Sequence, residues 1–363
     1  MTPYIVAGLV VGSVYAIATL GLVLTYTSSR IFNFAHGAMA LFLAMTFYQA
    51  TVKWGWNEHL AGAVTIFVFS PLLGLFLWAV LFRRLADTSP SVRLVSTIGL
   101  WVALPALARM LYGNQETVEK PSMLWSPPHQ YKVVGVALDS NQIAVVIAAA
   151  VIAVALTLLL RFTPFGLSVR ATVDSVKMAA TTGINASFVS AASWMIGSML
   201  AGTAGVLLGP LRGFDELQFT FLVLGSFAAV VVARMHSLVL GFVGSLLIGL
   251  LQELSATKQF QDFMAHFVNP DSVLIRGIRP SVPFIIMIVF LLAYRGLQKE
   301  GFTLDTRAGA EVAPPVVANA RLPLWRRLLP MAVVLAGVLI APEFLSGLWL
   351  SIVAKGLALA IVF

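Results

Sequence analysis

The chain of 363 residues contains no cysteine, and only 10% of its residues are charged. Without cysteine there is no disulfide, no thiolate nucleophile and no cysteine-ligated metal. Soluble domains carry about 25% charged residues, so the scarcity of charge points to a membrane. Five histidines are scattered, with no His-Glu-x-x-His pair and no Gly-x-Ser-x-Gly elbow, which leaves hydrolytic chemistry without its usual groups. No lysine is followed by Ser or Thr, and a Walker A phosphate loop is thereby excluded. The net charge of +8 comes from isolated basic residues between apolar runs. That pattern fits membrane topology and argues against nucleic acid, which calls for a basic patch. No Lys or Arg precedes the first apolar run, which is long enough to span; it reads as a retained first helix rather than a signal peptide.

What is abundant is apolar sequence, at 59%. Windows of about 20 residues suggest spans near 4–26, 34–53, 62–82, 94–112, 141–160, 189–209, 219–233, 238–254, 282–294 and 328–346, with another starting near Leu348 and cut off at Phe363. The expected fold class is all-α, a polytopic membrane helical bundle of about ten spans plus a truncated eleventh. Segments 219–233 and 282–294 are short for a full crossing and read as broken, tilted or re-entrant. With strict alternation, an outside N-terminus puts about twice as many Lys and Arg inside as outside. The polar stretch 161–188 is then cytoplasmic. Gly113–Ser140 reads as a folded surface loop on the other side. Residues 296–327, with Pro314 and Pro315, read as a cytoplasmic linker between a permease-like unit at 1–295 and the start of a second, incomplete unit at 328–363.

Two features invite a functional reading. In Arg161–Asn185, Thr163 and Pro164 suit a helix start, and Gly183 and Asn185 suit its end. Arg170, Asp174 and Lys177 are spaced to share a helix face, and such a partly apolar helix in water asks for a partner. In Asn33–Gly37, Asn33 can cap a helix and His36 can titrate or hydrogen-bond; the plain reading is a cap with a packed histidine, the functional one a gate. Rows of small residues, Gly8 and Gly12, Gly205 to Gly213, Gly241 to Gly249, read as helix packing. Arg109, Glu253 and Glu343 read as interfacial, near outer span ends.

The run GLVVGSVYAIATLGLVLTYTSSRIFNFAHGAMALF resembles the opening of branched-chain amino acid ABC transporter permeases, with Gly12, Ser13, Tyr15, Ala16, Gly21 and Asn33–Gly37 in register. FGLSVRATVDSVKMAATTGIN resembles that family's ATPase-coupling region, and the resemblance covers roughly 4–295. It implies an ABC importer permease-like fold in the cell inner membrane. Coupling would fall to Arg170, Ala171, Asp174, Ala179, Gly183, Ile184 and Asn185; Tyr15, Asn33, His36 and Gly37 would line the translocation path or gate. The implied partners are ABC ATPase subunits, a second permease half or subunit, an extracytoplasmic solute-binding protein and the lipid bilayer. No metal site or cofactor is expected in this chain, ATP and Mg belonging to the ATPase subunits. The chain departs from the family's Gly-rich turn at Arg234, Met235 and His236. Residues 321–363 are similar to the start of the partner permease, as in a fusion of two halves. Leucine, isoleucine or valine is the implied cargo, with urea or amides an alternative within the family. A secondary transporter driven by an ion gradient needs intramembrane carboxylates, and mid-span Asp and Glu are absent from the windows above. A membrane scaffold would leave both motifs without a role.

Overall fold

The computed structural model describes residues 2–85, 88–113, 128–133, 136–235, 237–266 and 273–294. All belong to the unit Met1–Gly296. The expected linker 296–327, the second-unit start 328–363 with its two spans, and Glu343 lie outside the described residues, as do 114–127 and His236.

Thirteen helices are described: α1 Thr2–Ser29, α2 His36–Tyr48, α3 Glu58–Val64, α4 Ser70–Leu77, α5 Pro90–Tyr112, α6 Ser140–Phe162, α7 Pro164–Asp174, α8 Val176–Thr181, α9 Ala186–Arg212, α10 Glu216–Val232, α11 Leu238–Leu254, α12 Lys258–Ala265 and α13 Val273–Tyr294. A π-helical turn, Thr65–Phe69, joins α3 to α4, and another, Trp78–Phe82, extends them into one rod. Before α6 stands a small antiparallel pair, β1 Gln130–Val133 with β2 Val136–Asp139, in the register Gln130 to Asp139. It is the described part of the expected surface loop.

The span count differs from expectation. Five described helices are long and apolar enough to cross alone: Thr2–Ser29, Glu58–Phe82, Pro90–Tyr112, Ser140–Phe162 and Ala186–Leu211. A sixth crossing is the pair Leu238–Leu254 and Lys258–Met264, bent by 70°. The reason is physical. An apolar window scores burial in protein the same as burial in lipid, and α2, with 13 residues, is enclosed by its neighbours almost throughout. The 17 residues of α10 reach only about 25 Å at 1.5 Å per residue, short of a hydrocarbon core of about 30 Å. Strict alternation, on which the expected orientation rested, therefore has no support in the span count.

Two helices form the centre. In α1 and α9, 72% of the apolar window is buried, against 22% in the α3–α4 rod, 22% in α5 and 17% in α6, whose outer faces are exposed. Helix α1 packs chiefly on α11 and α9; α2 and α4 also pack on α9. Lipid offers helices no hydrophobic drive to associate, so close backbone approach must supply the attraction. A Cβ on Gly249 of α11 would strike the backbone of Gly12 and Gly8 of α1, and one on Gly205 of α9 would strike the Ala40 carbonyl of α2. Two of the small-residue rows thus mesh with each other. Gly213 does not belong to its row: with φ 86° it ends α9 and faces open space.

The departure at Arg234 and Met235 has a structural meaning. The amides of Arg234 and Met235 donate to the carbonyls of Val231 (3.0 Å) and Val230 (2.9 Å), closing α10. Both residues take left-handed φ, 53° and 62°. This is a helix end where glycine is the favoured residue.

Gly249→Val should lower stability by about 3 kcal/mol, the upper end for overpacking, because the obstruction is backbone. Gly99→Ala, with open space around it, should be neutral or add up to about 1 kcal/mol of helix propensity. Thermal unfolding in detergent, followed by tryptophan fluorescence, distinguishes the two; equal midpoints would show that the α1–α11 contact is loose.

Candidate functional site

The polar segment between α6 and α9 is a folded bracket. Thr163 accepts from the Gly166 amide at 3.3 Å and Pro164 takes the first helical position. Helix α7 doubles back so closely that Gly166 abuts the Leu160 carbonyl, to which the Arg170 guanidinium also donates. Leu160 lies in the last turn of α6, whose carbonyls lack helical partners, so a cation is well placed there.

The face expected to unite Arg170, Asp174 and Lys177 is interrupted. Ser175 is extended (φ −161°, ψ 114°), ends α7 and caps α8 by accepting from the Met178 amide at 3.3 Å. Lys177 therefore stands on a different helix. A serine can bond its local backbone in a non-helical conformation, and here that preference cuts one helix into two. Helix α8 closes with Gly183 (φ 84°) donating to Ala180 at 3.1 Å and Ile184 donating to Ala179 at 3.0 Å. Asn185 does not end this helix but opens α9, accepting from the Phe188 amide at 3.1 Å.

The sequence candidates separate by burial. Arg170, Asp174, Gly183 and Asn185 are exposed, Ala171 and Ile184 half-buried, and Ala179 buried against the chain's own core. The outer surface also carries Leu167 at 60% and Met178 at 72% exposure. Leu167 was missed because it reads as an ordinary apolar residue. Arg30 was missed as well. It ends α1 with φ 54°, and its guanidinium donates to the Val173 carbonyl at 3.2 Å, so the last turn of α7 is tied to α1. The available signal was its being the only charged residue before Lys53.

The second motif is a packed core. His36 is fully buried, its ring against Gly21 of α1, and neither ring nitrogen has a hydrogen-bond partner among the described residues. Asn33 is not the expected side-chain cap: Ala35 holds the cap position of α2, while Asn33 Nδ2 approaches Met39 Sδ at 3.5 Å and Oδ1 has no partner among the described residues. Gly37 meets α10 at Phe219 and Val223. Tyr15 lies on Gly225 and donates from its hydroxyl to Gln252 Oε1 at 2.8 Å.

Tyr15 also borders a cavity of about 280 Å³ lined by α1, α9, α10, α11 and α13. It occupies the end of the bundle where α1 begins and α9 finishes, opposite the bracket. Beside it Arg279 Nη2 lies 2.6 Å from both carboxylate oxygens of Glu253. Glu253 was expected at an interface; it is 4% exposed and ion-paired. Arg109 forms a half-exposed ion pair with Glu216 at 3.3 Å, as suits a surface position.

Apolar outer helices around a buried centre, with a polar bracket at one end and a small cavity at the other, define a multi-pass membrane helical bundle. The chain belongs to the branched-chain amino acid transport system permease component family, whose model matches residues 4–293. It is 26% identical over 260 residues to the high-affinity branched-chain amino acid transport system permease protein LivH of Escherichia coli K12, covering 69% of this chain and 84% of that one. It is 26% identical over 276 residues to the corresponding permease protein BraD of Pseudomonas aeruginosa, covering 72% and 89%. With a probable LivH permease of Methanocaldococcus jannaschii the identity is 25% over 256 residues, covering 68% and 78%. No solved structure matches.

Arg30→Gly removes the bond to Val173 while suiting the left-handed backbone. The thermal midpoint should stay level or rise slightly, and amide exchange across 164–174 should quicken about tenfold, as for loss of a charged hydrogen bond. Exchange at the wild-type rate would show that the tie carries no load.

Proposed function

We propose that this chain is the permease subunit of an ATP-binding-cassette importer for branched-chain amino acids, driven by ATP hydrolysed on separate subunits. The observation that carries the reading is the family match across 4–293, with relatives whose names state that transport. In this account the bracket 161–188 is cytoplasmic, the N-terminus is outside, and the membrane is the cell inner membrane.

The ATPase subunit seats on the bracket. Leu167 and Met178 offer exposed apolar contacts, Asp174 an exposed charge, and Gly183 room for close approach. Arg170 serves this contact by holding α7 on α6. Arg30 holds it on α1, so a push on the bracket reaches both membrane helices. A second permease half or subunit completes the path, and a solute-binding protein delivers cargo on the far side. Substrate binding needs no cofactor in this chain; ATP and Mg act on the partner.

The test is leucine uptake into liposomes containing the complete transporter with its ATPase and binding protein. Uptake should require ATP. Uptake that follows an imposed ion gradient with ATP absent would contradict the reading, and uptake of urea or acetamide in place of leucine would correct the cargo. Asp174→Arg with Met178→Asp, both at exposed positions, should cut uptake at least tenfold while the thermal midpoint holds. Undiminished uptake would remove this surface from the coupling contact.

A further inference from the structure

The cavity at the far end of the bundle has two unlike walls. One is apolar, formed by Val10, Val11 and Val14 of α1 with Leu208 and Leu211 of α9; the other is polar, formed by Gln218, Gln252 and Arg279. At about 280 Å³ it lies at the small end of ligand pockets, which run from about 300 to 1,000 Å³, and suits one small solute.

The polar wall is preorganised. Glu253, almost fully buried, engages a single nitrogen of Arg279 through both its oxygens. A guanidinium carries five N–H donors in a planar fork, so its other two nitrogens remain for a second acceptor. The Tyr15 hydroxyl donates to Gln252 Oε1 and fixes that amide with its oxygen as acceptor; an amide oxygen has a second lone pair for a cationic donor. The charges matter as much as the donors. Glu253 is buried behind the wall and holds Arg279 in place, so the charge that the wall presents is the Arg279 fork, which attracts an anionic end, while Gln252 Oε1 accepts from a cationic one. A neutral molecule with separated charges meets an attraction at each end.

We propose that this cavity is the substrate site of the permease and that it takes a free, zwitterionic amino acid with an aliphatic side chain. Its α-carboxylate lies on the free edge of the Arg279 fork, its α-ammonium on Gln252 Oε1, and its side chain between the valines of α1 and the leucines of α9. This rests on the importer reading and adds to it which residues hold the cargo. The same set of contacts selects against urea and simple amides, which have neither charged group and no side chain to fill the apolar wall.

The experiment uses the complete transporter in nanodiscs, without binding protein or ATP, and measures radiolabelled leucine binding by scintillation proximity. The wild type should bind leucine saturably, with valine and isoleucine competing. Leucinamide, which lacks the carboxylate, and isocaproate, which lacks the ammonium, should compete at least tenfold less well. Val11→Trp fills the cavity from a half-buried position and should abolish binding with the thermal midpoint retained. Arg279→Lys keeps a cation beside Glu253 but loses the fork, and should weaken leucine at least tenfold. Should either variant fold poorly, the competition series on the wild type still decides. Leucinamide competing as well as leucine, Val11→Trp binding or importing like the wild type, or a wild type that imports leucine without binding it here would each overturn the assignment. If the wild type imports no leucine with ATP and binding protein present, the importer reading itself has failed, and that outcome is separate from the others.

Discussion

The architecture depends on backbone-to-backbone contact along α1. Lipid tails are as apolar as leucine, so helices in a bilayer gain association energy from close van der Waals packing rather than from leaving water. Gly8 and Gly12 let α1 lie directly on α11 at Gly249, and Gly21 makes room for the His36 ring. A Cβ at these points would meet backbone or a buried ring, neither of which can yield cheaply. Helix α1 is thereby fixed at the centre, and the other elements take their places from it.

That fixed helix reaches both the cavity and the bracket. Its first half supplies Val10, Val14 and Tyr15 to the cavity; its last residues lead to Arg30, which holds the carbonyl of Val173. Helix α9 runs the same course from the opposite chain direction, starting at the bracket with the Asn185 cap and ending at Leu208 and Leu211 beside the cavity. Packed cores transmit displacement because they have little void to absorb it. In the proposed importer, the two buried helices joining bracket to cavity link ATP use at one end to access at the other. The extended residue Ser175 divides the bracket, so α7 is tied to α6 and α1 while α8 leads into α9.

Much of this was legible in the sequence. Thr163 and Pro164 mark the start of α7 because capping and fixed proline φ are local effects, and Gly183 marks a helix end for the same reason. The family resemblance was legible from NFAHG and the bracket motif. What was not legible required knowing neighbours. Helix α2 looked like a span because burial in protein and in lipid select the same residues. Ser175 looked helical because serine is tolerated inside helices. Glu253 looked interfacial because its partner, Arg279, is supplied by another helix. Asn33 looked like a cap, yet it is buried beside Met39. The loss of glycine at Arg234 was visible in the sequence, and its consequence, a left-handed backbone in a non-glycine residue, appears only in the fold.

A mechanical link between bracket and cavity through α1 and α9 can be tested directly. Because these 363 residues contain no cysteine, a direct measurement needs one addition here: place a cysteine at Val11 in the complete transporter, with any cysteines of its other chains replaced by serine, and record its maleimide labelling rate with no nucleotide and in an ATP-trapped state. The rates should differ several-fold between the two states, and the difference should collapse when Arg30 and Arg170 are both replaced by Gln. Equal rates in both states, or a difference that survives loss of both arginines, would contradict that link.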